Sequence, residues 1–226
     1  MIVGIIGAGT MGSGIAQAFA QVDGYEVRLC DINEEFAANG KLRITKTLEK
    51  RVAKGKMAKE DADKIIAKIK TGTKEICSDC DLIVEAAVEN VDIKRQTFKE
   101  LDKICKPECI FTTNTSSLSI TQIAAGLEHH VVGMHFFNPA PVMKLVEIIA
   151  GLNTPKEVAD RVVAIATEIG KTPVEVREAA GFVVNRILIP MINEAIGIYA
   201  EGEASAEDID TAMKLGANHP MGPLAL

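Results

Sequence analysis

The 226-residue chain carries 25 Lys and Arg against 31 Asp and Glu, and 47% of it is apolar: a globular composition with ample core material. A net charge of −6, with two Tyr and no Trp for stacking, argues against nucleic acid as a partner. Five Cys, an odd count with no leader peptide expected, point to a reducing, cytoplasmic compartment, and the apolar stretch 182–200 is broken by Asn185, Arg186, Pro190, Asn193 and Glu194, so no membrane span is expected.

Ile2 to Ile6 reads as a strand, followed at once by Gly7-Ala8-Gly9-Thr10-Met11-Gly12 and a helical segment, Ser13 to Gln21. Placed between strand and helix, this spacing is a dinucleotide-binding fingerprint. Gly7 permits a tight turn, Gly9 lets backbone approach a pyrophosphate, and Gly12 lets helix and sheet close together, while the helix N-terminus turns its N–H groups toward the phosphates. A second strand, Val27 to Cys30, ends in Asp31. Its carboxylate suits the adenosine ribose hydroxyls and repels a 2′-phosphate; with no Arg or Lys in 32–35, NAD is favoured over NADP. Asp31 or Asn33 is also a candidate cap for the next helix.

Glu34 to Lys54 and Ala58 to Lys70, broken at Gly55, read as an antiparallel helical hairpin inserted into the nucleotide fold. Residues 41–74 hold twelve Lys or Arg against four Asp or Glu, so a polyanion has a place to dock. Lys46, Lys50 and Lys54 share a helical face, with Leu42, Leu48 and Val52 available for packing. A phosphate site and a merely solvated lysine face fit this pattern equally.

Asp81 to Ala87 reads as a strand, Val91 to Cys105 as a helix, and Ile110 to Thr113 as a strand running into Asn114-Thr115-Ser116-Ser117. The spacing of Cys77 with Cys80 and of Cys105 with Cys109 is compatible with zinc, but ordinary thiols explain it as well and no metal is expected. His130 to Phe137 and Leu145 to Ala150 read as strands whose link, 138–144, is too short for a crossover helix. They are therefore expected to pair antiparallel at the sheet edge. His135 then lies near the C-terminal end of its strand, where doubly wound folds place ligands, and Glu147 can come alongside it if the register allows. A carboxylate-supported imidazole is a usable general base; a satisfied core histidine is the plain structural alternative.

Pro155 to Gly170 reads as a helix and Lys171 to Arg177 as a last strand, after which Phe182 to Tyr199 and Ala206 to Leu215 are helical. The expected architecture is α/β: a Rossmann-type, doubly wound, mostly parallel sheet over residues 1–180, with a helical arm at about 34–70. A partial all-helical domain, 181–226, follows.

Several motifs together carry a resemblance: the Gly-Ala-Gly-Thr-Met-Gly opening, Val84-Glu85-Ala86 with Glu89-Asn90, Asn114-Thr115-Ser116-Ser117, His135-Phe136-Phe137-Asn138-Pro139, Gly181-Phe182-Val183-Val184-Asn185-Arg186, and Asp208-Ile209-Asp210 through Met221-Gly222-Pro223. The chain resembles the L-3-hydroxyacyl-CoA dehydrogenase family, above all its bacterial 3-hydroxybutyryl-CoA branch. The resemblance implies reversible NAD-dependent oxidation of a 3-hydroxyacyl-CoA, in fatty acid or butyrate metabolism, by a cytoplasmic homodimer or other homo-oligomer. It makes His135 the base, Glu147 its orienting partner, and Ser116 and Asn185 donors to the 3-oxygen. It puts Glu89 near the nicotinamide and Asn114 with Gly7, Gly9, Thr10, Met11, Gly12 and Asp31 around the cofactor. Lys54, with Lys50, would meet the CoA phosphates. The family continues past Leu226 through further helices, so the acyl pocket and dimer contacts are expected to be incomplete. Ile187, Ile189, Met191, Ile192 and Ile196 should then be exposed, and a catalytically impaired dinucleotide-binding relative is the alternative. A hydroxyacid reductase with a lysine base fits His135 and Glu147 less well.

Overall fold

Strand β1 (Ile2–Ile6) is buried along nearly its whole length, as an unbroken apolar run demands of a strand covered on both faces. The computed structural model, which describes residues 1–226, builds an eight-stranded sheet around it. The other strands are β2 (Glu26–Cys30), β3 (Ile69–Gly72), β4 (Leu82–Glu85), β5 (Ile110–Thr113), β6 (Val131–Phe136), β7 (Leu145–Ala150) and β8 (Thr172–Arg177), in the order β3-β2-β1-β4-β5-β6-β7-β8. All neighbours are parallel except β6 and β7. The winding reverses between β1 and β4, and at such a switch point the strand ends leave a crevice.

The helices of this unit are α1 (Thr10–Ala20), α2 (Glu34–Ala53), α3 (Lys59–Ala67), α4 (Val91–Leu101), α5 (Ile120–Ala124) and α6 (Lys156–Glu168). Asn33 is the cap of α2, accepting from Phe36 N, with Glu34 and Glu35 in the first turn and Lys50 and Arg51 in the last. Ala37, Gly40, Ile44 and Leu48 form the buried stripe of α2; Leu42, expected to pack, is 48% exposed.

Two further expectations change. Residues 69 and 70, expected to end a helix, belong with 71 and 72 to edge strand β3, parallel to β2, which makes the α2–α3 hairpin the β2-to-β3 crossover rather than an insertion. Strands β6 and β7 do pair antiparallel, but the edge belongs to β8, which α6 returns parallel to β7. The short helix α5, capped by Ser119, was not foreseen.

Contacts divide the chain into Met1–Ala179 and Ala180–Leu226. The second unit consists of α7 (Val184–Ala200), with Pro190 inside it, and α8 (Ala206–Gly216), whose cap Ser205 accepts from Asp208 N. Asp210 Oδ1 accepts from Leu224 N at 2.8 Å, pinning the chain after α8. Ile187, Ile189 and Ile196 are exposed; Met191 and Ile192 are half-buried. No helix is long and apolar enough to cross a membrane.

Candidate active site

Gly7 has φ +98°, a conformation that favours glycine, and donates its N–H to Cys30 O at 2.8 Å. A Cβ on Gly12 would stand 1.7 Å from Gly7 O, so only glycine lets α1 start this close to the turn. Gly9 is the N-cap of α1; no side chain caps the helix and no acid occupies its first turn. A Cβ on Gly9 would meet nothing within 4 Å. An uncapped N-terminus facing open space is a cradle for a phosphate group. Thr10 stands exposed at the start of α1, within 3.5 Å of Arg43 Nη1, and Met11 is half-buried behind it.

Asp31 ties this loop to β2, accepting from Ala8 N at 2.6 Å and Ile32 N at 2.7 Å. A carboxylate has more acceptor sites than these two bonds use, so capacity remains for ribose hydroxyls. Asp31 lines a cavity of about 370 Å³ with Ile32, Thr73, Lys74, Thr97 and Glu100, suited in size and position to the adenosine end of a dinucleotide. The residues present therefore fit the cofactor inferred from the sequence.

At the end of β6, the antiparallel register sets His135 directly opposite Glu147. His135 Nδ1 lies 2.8 Å from Glu147 Oε2, and both groups are buried. Donation from Nδ1–H to the carboxylate fixes the tautomer in which Nε2 is the basic nitrogen. Phe137 packs at 4.5 Å against the imidazole. Asn114 accepts from Phe136 N at 2.8 Å through Oδ1, while its own N–H donates to Glu85 O. It stitches the exits of β4, β5 and β6 into one platform.

Ser116 follows Asn114 on the same platform and is held by Glu89. Glu89 Oε1 accepts from Ser116 N at 2.9 Å and from the hydroxyls of Thr115 and Ser117. Burial pushes the Glu89 carboxyl up, but the Thr115 hydroxyl, the Lys94 charge and the Ser116 N–H outweigh it and hold the group below the usual carboxylate range. Lys94 Nζ is 3.4 Å from Glu89 Oε2 and donates to both oxygens of Glu85, at 2.9 and 2.8 Å. Glu85 and Lys94 are almost wholly inaccessible, and Thr113 Oγ1 and Ala87 N complete the bonding of Glu85. Removing one partner of such a pair would cost about 3–5 kcal/mol. Lys94 escaped the reading of the sequence; its signal is a lone Glu ending the apolar run Leu82-Ile83-Val84-Glu85, which requires a buried cation.

A cavity of about 550 Å³ opens between α1, α2 and the 138–142 loop, lined by Thr10, Ser13, Arg43, Thr47, Arg51 and Lys56 together with Asn138 to Val142. No carboxylate lines it. Arg43, Thr47 and Arg51 recur every fourth residue on α2, the spacing that could have identified them. Lys50 and Lys54 are exposed and lie outside the lining. Asn185 is carried by the first turn of α7, in the second unit. The five Cys are buried; Cys30 Sγ and Cys77 Sγ are 3.4 Å apart, and hydrogen bonds between thiols, with burial, push Cys77 and Cys80 up.

Residues 2–179 match the family described as 3-hydroxyacyl-CoA dehydrogenase, NAD binding domain, and residues 181–226 match its C-terminal domain. The chain is 53% identical over 229 residues to a 3-hydroxybutyryl-CoA dehydrogenase of Clostridioides difficile, covering 100% of this chain and 81% of that one. Its identity to the mitochondrial hydroxyacyl-coenzyme A dehydrogenase of Homo sapiens is 45% over 234 residues, covering 99% and 74% of the two chains. Among solved structures, (S)-3-hydroxybutyryl-CoA dehydrogenase from Ralstonia eutropha superposes with a TM-score of 0.93 at 46% identity, covering 99% of this chain and 80% of that one.

Proposed function

Because the chain belongs to the 3-hydroxyacyl-CoA dehydrogenase family, we propose that it catalyses the reversible, NAD-dependent oxidation of (S)-3-hydroxybutyryl-CoA to acetoacetyl-CoA. The observation that carries the reading is the buried His135–Glu147 pair at the end of the sheet that also presents the glycine-rich cradle. NAD, held by Gly7 to Gly12 and Asp31, supplies the acceptor for the C3 hydride. His135 Nε2 removes the proton of the 3-hydroxyl in oxidation, and the imidazolium returns it in reduction. Glu147 holds the ring in the tautomer that leaves Nε2 basic and stabilises the imidazolium once formed. Ser116, steadied by Glu89, donates to the 3-oxygen as charge develops there, and Asn185 of the second unit is proposed as a further donor.

For the CoA moiety, the cavity lined by Arg43, Arg51 and Lys56 supplies cationic donors for phosphates, with Lys50 and Lys54 adding charge outside it. We read the exposed Ile187, Ile189 and Ile196 as contact surface for a homodimer, and assign the protein to cytoplasmic fatty acid or butyrate metabolism. The test is NADH oxidation with acetoacetyl-CoA, against NADPH and free acetoacetate as controls. Turnover that is specific for NADH and requires the CoA moiety is expected. Tight NADH binding without turnover, or equal rates with free acetoacetate, would overturn the proposal.

A further inference from the structure

Residues 138–144 leave β6 just beyond His135 and form one wall of the basic cavity, through Asn138 to Val142. Their internal bonding is slight: Val142 N and Met143 N both donate to Pro139 O, at 2.9 and 3.0 Å. Against one side lies α1, where a Cβ on Gly14 would meet Ala140 Cβ and Pro141 Cδ at 3.3 Å each. From another direction Lys171 reaches in, and its Nζ donates to Ala140 O at 2.5 Å and to Met143 O at 2.8 Å.

Backbone geometry delivers Lys171 to this spot. Helix α6 ends at Glu168 with Ile169 as its cap, and Gly170, φ +74°, follows, with Gly170 N bonded to Thr167 O and Lys171 N to Ala166 O, a Schellman turn. Thr172 N then donates to Lys144 O at 2.8 Å, starting β8 against the end of the loop. Lys171 is only 8% exposed, and no carboxylate lies within ion-pair distance of it. Burial, and the like charge of Lys144, pull its pKa down. A buried cation without a counter-charge is a poor device for stabilising a fold, since an apolar side chain would serve better. What the ammonium provides, and an apolar side chain cannot, is simultaneous satisfaction of two loop carbonyls.

We propose that Lys171 is a positioning residue for the CoA ester: its ammonium clamps the 138–144 loop from behind and so fixes one wall of the cavity that receives the CoA portion. The inference rests on the dehydrogenase reading above. Lys171 does not itself line that cavity, so its effect passes through the loop.

The test compares the wild type with Lys171→Met and Lys171→Gln, by steady-state kinetics with acetoacetyl-CoA and NADH and by NADH titration. In Lys171→Met the KM for the CoA ester should rise at least about tenfold, with kcat and NADH affinity held within about twofold. Lys171→Gln, which can still donate to one carbonyl, should fall between. Burial, and then the like charge of Lys144, hold Lys171 below the ordinary lysine value, so in the wild type KM should climb as pH is raised from about 7 toward that value of about 10.4 and the ammonium is lost, and this climb should vanish in Lys171→Met. Variants with unchanged KM, or with KM, kcat and NADH affinity deteriorating together, overturn the inference. Should Lys171→Met not fold, Lys171→Gln and the wild-type profile decide, and a wild-type KM flat over that range counts against it. A wild-type chain without turnover removes the dehydrogenase reading and this inference with it; an active wild type with unaffected variants removes the inference alone.

Discussion

Replacing Gly9 by alanine is expected to leave the protein about as stable as before while destroying its hold on NADH. Gly9 sits at φ −68°, ψ −163°, open to any L-residue, and its added methyl meets nothing within 4 Å. Stiffening the unfolded chain favours alanine by about 0.4–1 kcal/mol, whereas alanine is the poorer N-cap by roughly the same amount. The two offset, and for a chain of this size the melting temperature should move by no more than about 2–4 °C. The methyl, however, occupies the space through which a pyrophosphate must approach the N–H groups of α1. Losing two charge-assisted hydrogen bonds at about 1.5–3 kcal/mol each weakens NADH binding by at least about a hundredfold.

Gly12→Ala should fail in the opposite way, because its Cβ would lie 1.7 Å from Gly7 O and α1 would have to retreat from the sheet. Forcing backbone apart at that packed junction costs about 3 kcal/mol or more, a drop of at least about 6 °C. Thermal melts and NADH fluorescence titrations separate the cases. If Gly9→Ala binds NADH like the wild type, the loop is not the pyrophosphate cradle. An unshifted melt for Gly12→Ala would refute the close approach on which the argument depends.

His135→Gln should keep NADH affinity and lower kcat by about two orders of magnitude or more, with Glu147→Gln showing a smaller loss of the same kind; stopped-flow hydride transfer measures both, and an unchanged rate in His135→Gln removes that residue from the mechanism. Arg51→Ala should raise the KM for acetoacetyl-CoA more than Lys54→Ala does, because Arg51 lines the cavity and Lys54 does not; the reverse ranking would return the phosphate contact to Lys54. Stability should fall in acid. Burial raises the carboxyls of Asp81, Glu89, Asp102 and Glu178, but hydrogen bonds, chiefly Lys106 to Asp81, Thr115 to Glu89, Glu128 N–H to Asp102 and Ser119 to Glu178, hold all four below their ordinary values. Folded pKa values below the unfolded ones confer stability above the unfolded pKa and lose it as pH falls, so the melting temperature should be level from about pH 7 to about pH 5 and decline below about pH 4.5. A level profile down to pH 3 would contradict this account of the four carboxylates.

The glycine-rich turn between β1 and α1 was legible in the sequence because its logic is local: strand, turn and helix follow one another within about a dozen residues, and Gly7 and Gly12 answer steric demands of their neighbours. The antiparallel run of β6 and β7 was legible for a similar reason, the link between them being too short for a crossover. Their register was not, and it is the register that puts Glu147 opposite His135. The first half of strand β3 looked like the end of a helix since so short a segment holds too little periodicity to decide, and only pairing with β2 made it a strand. The same limit applied to the basic arm. Neighbouring residues on α2 point about 100° apart, so the stripe that packs, Ala37, Gly40, Ile44 and Leu48, decides that Arg51 rather than Lys50 reaches the cavity. Lys94 and Lys171 were hidden altogether. A lysine in a sequence reads as solvent-exposed, and it becomes a structural cation only when folding brings buried acceptors, the Glu85 carboxylate for one and the carbonyls of Ala140 and Met143 for the other, around an ammonium that has left water.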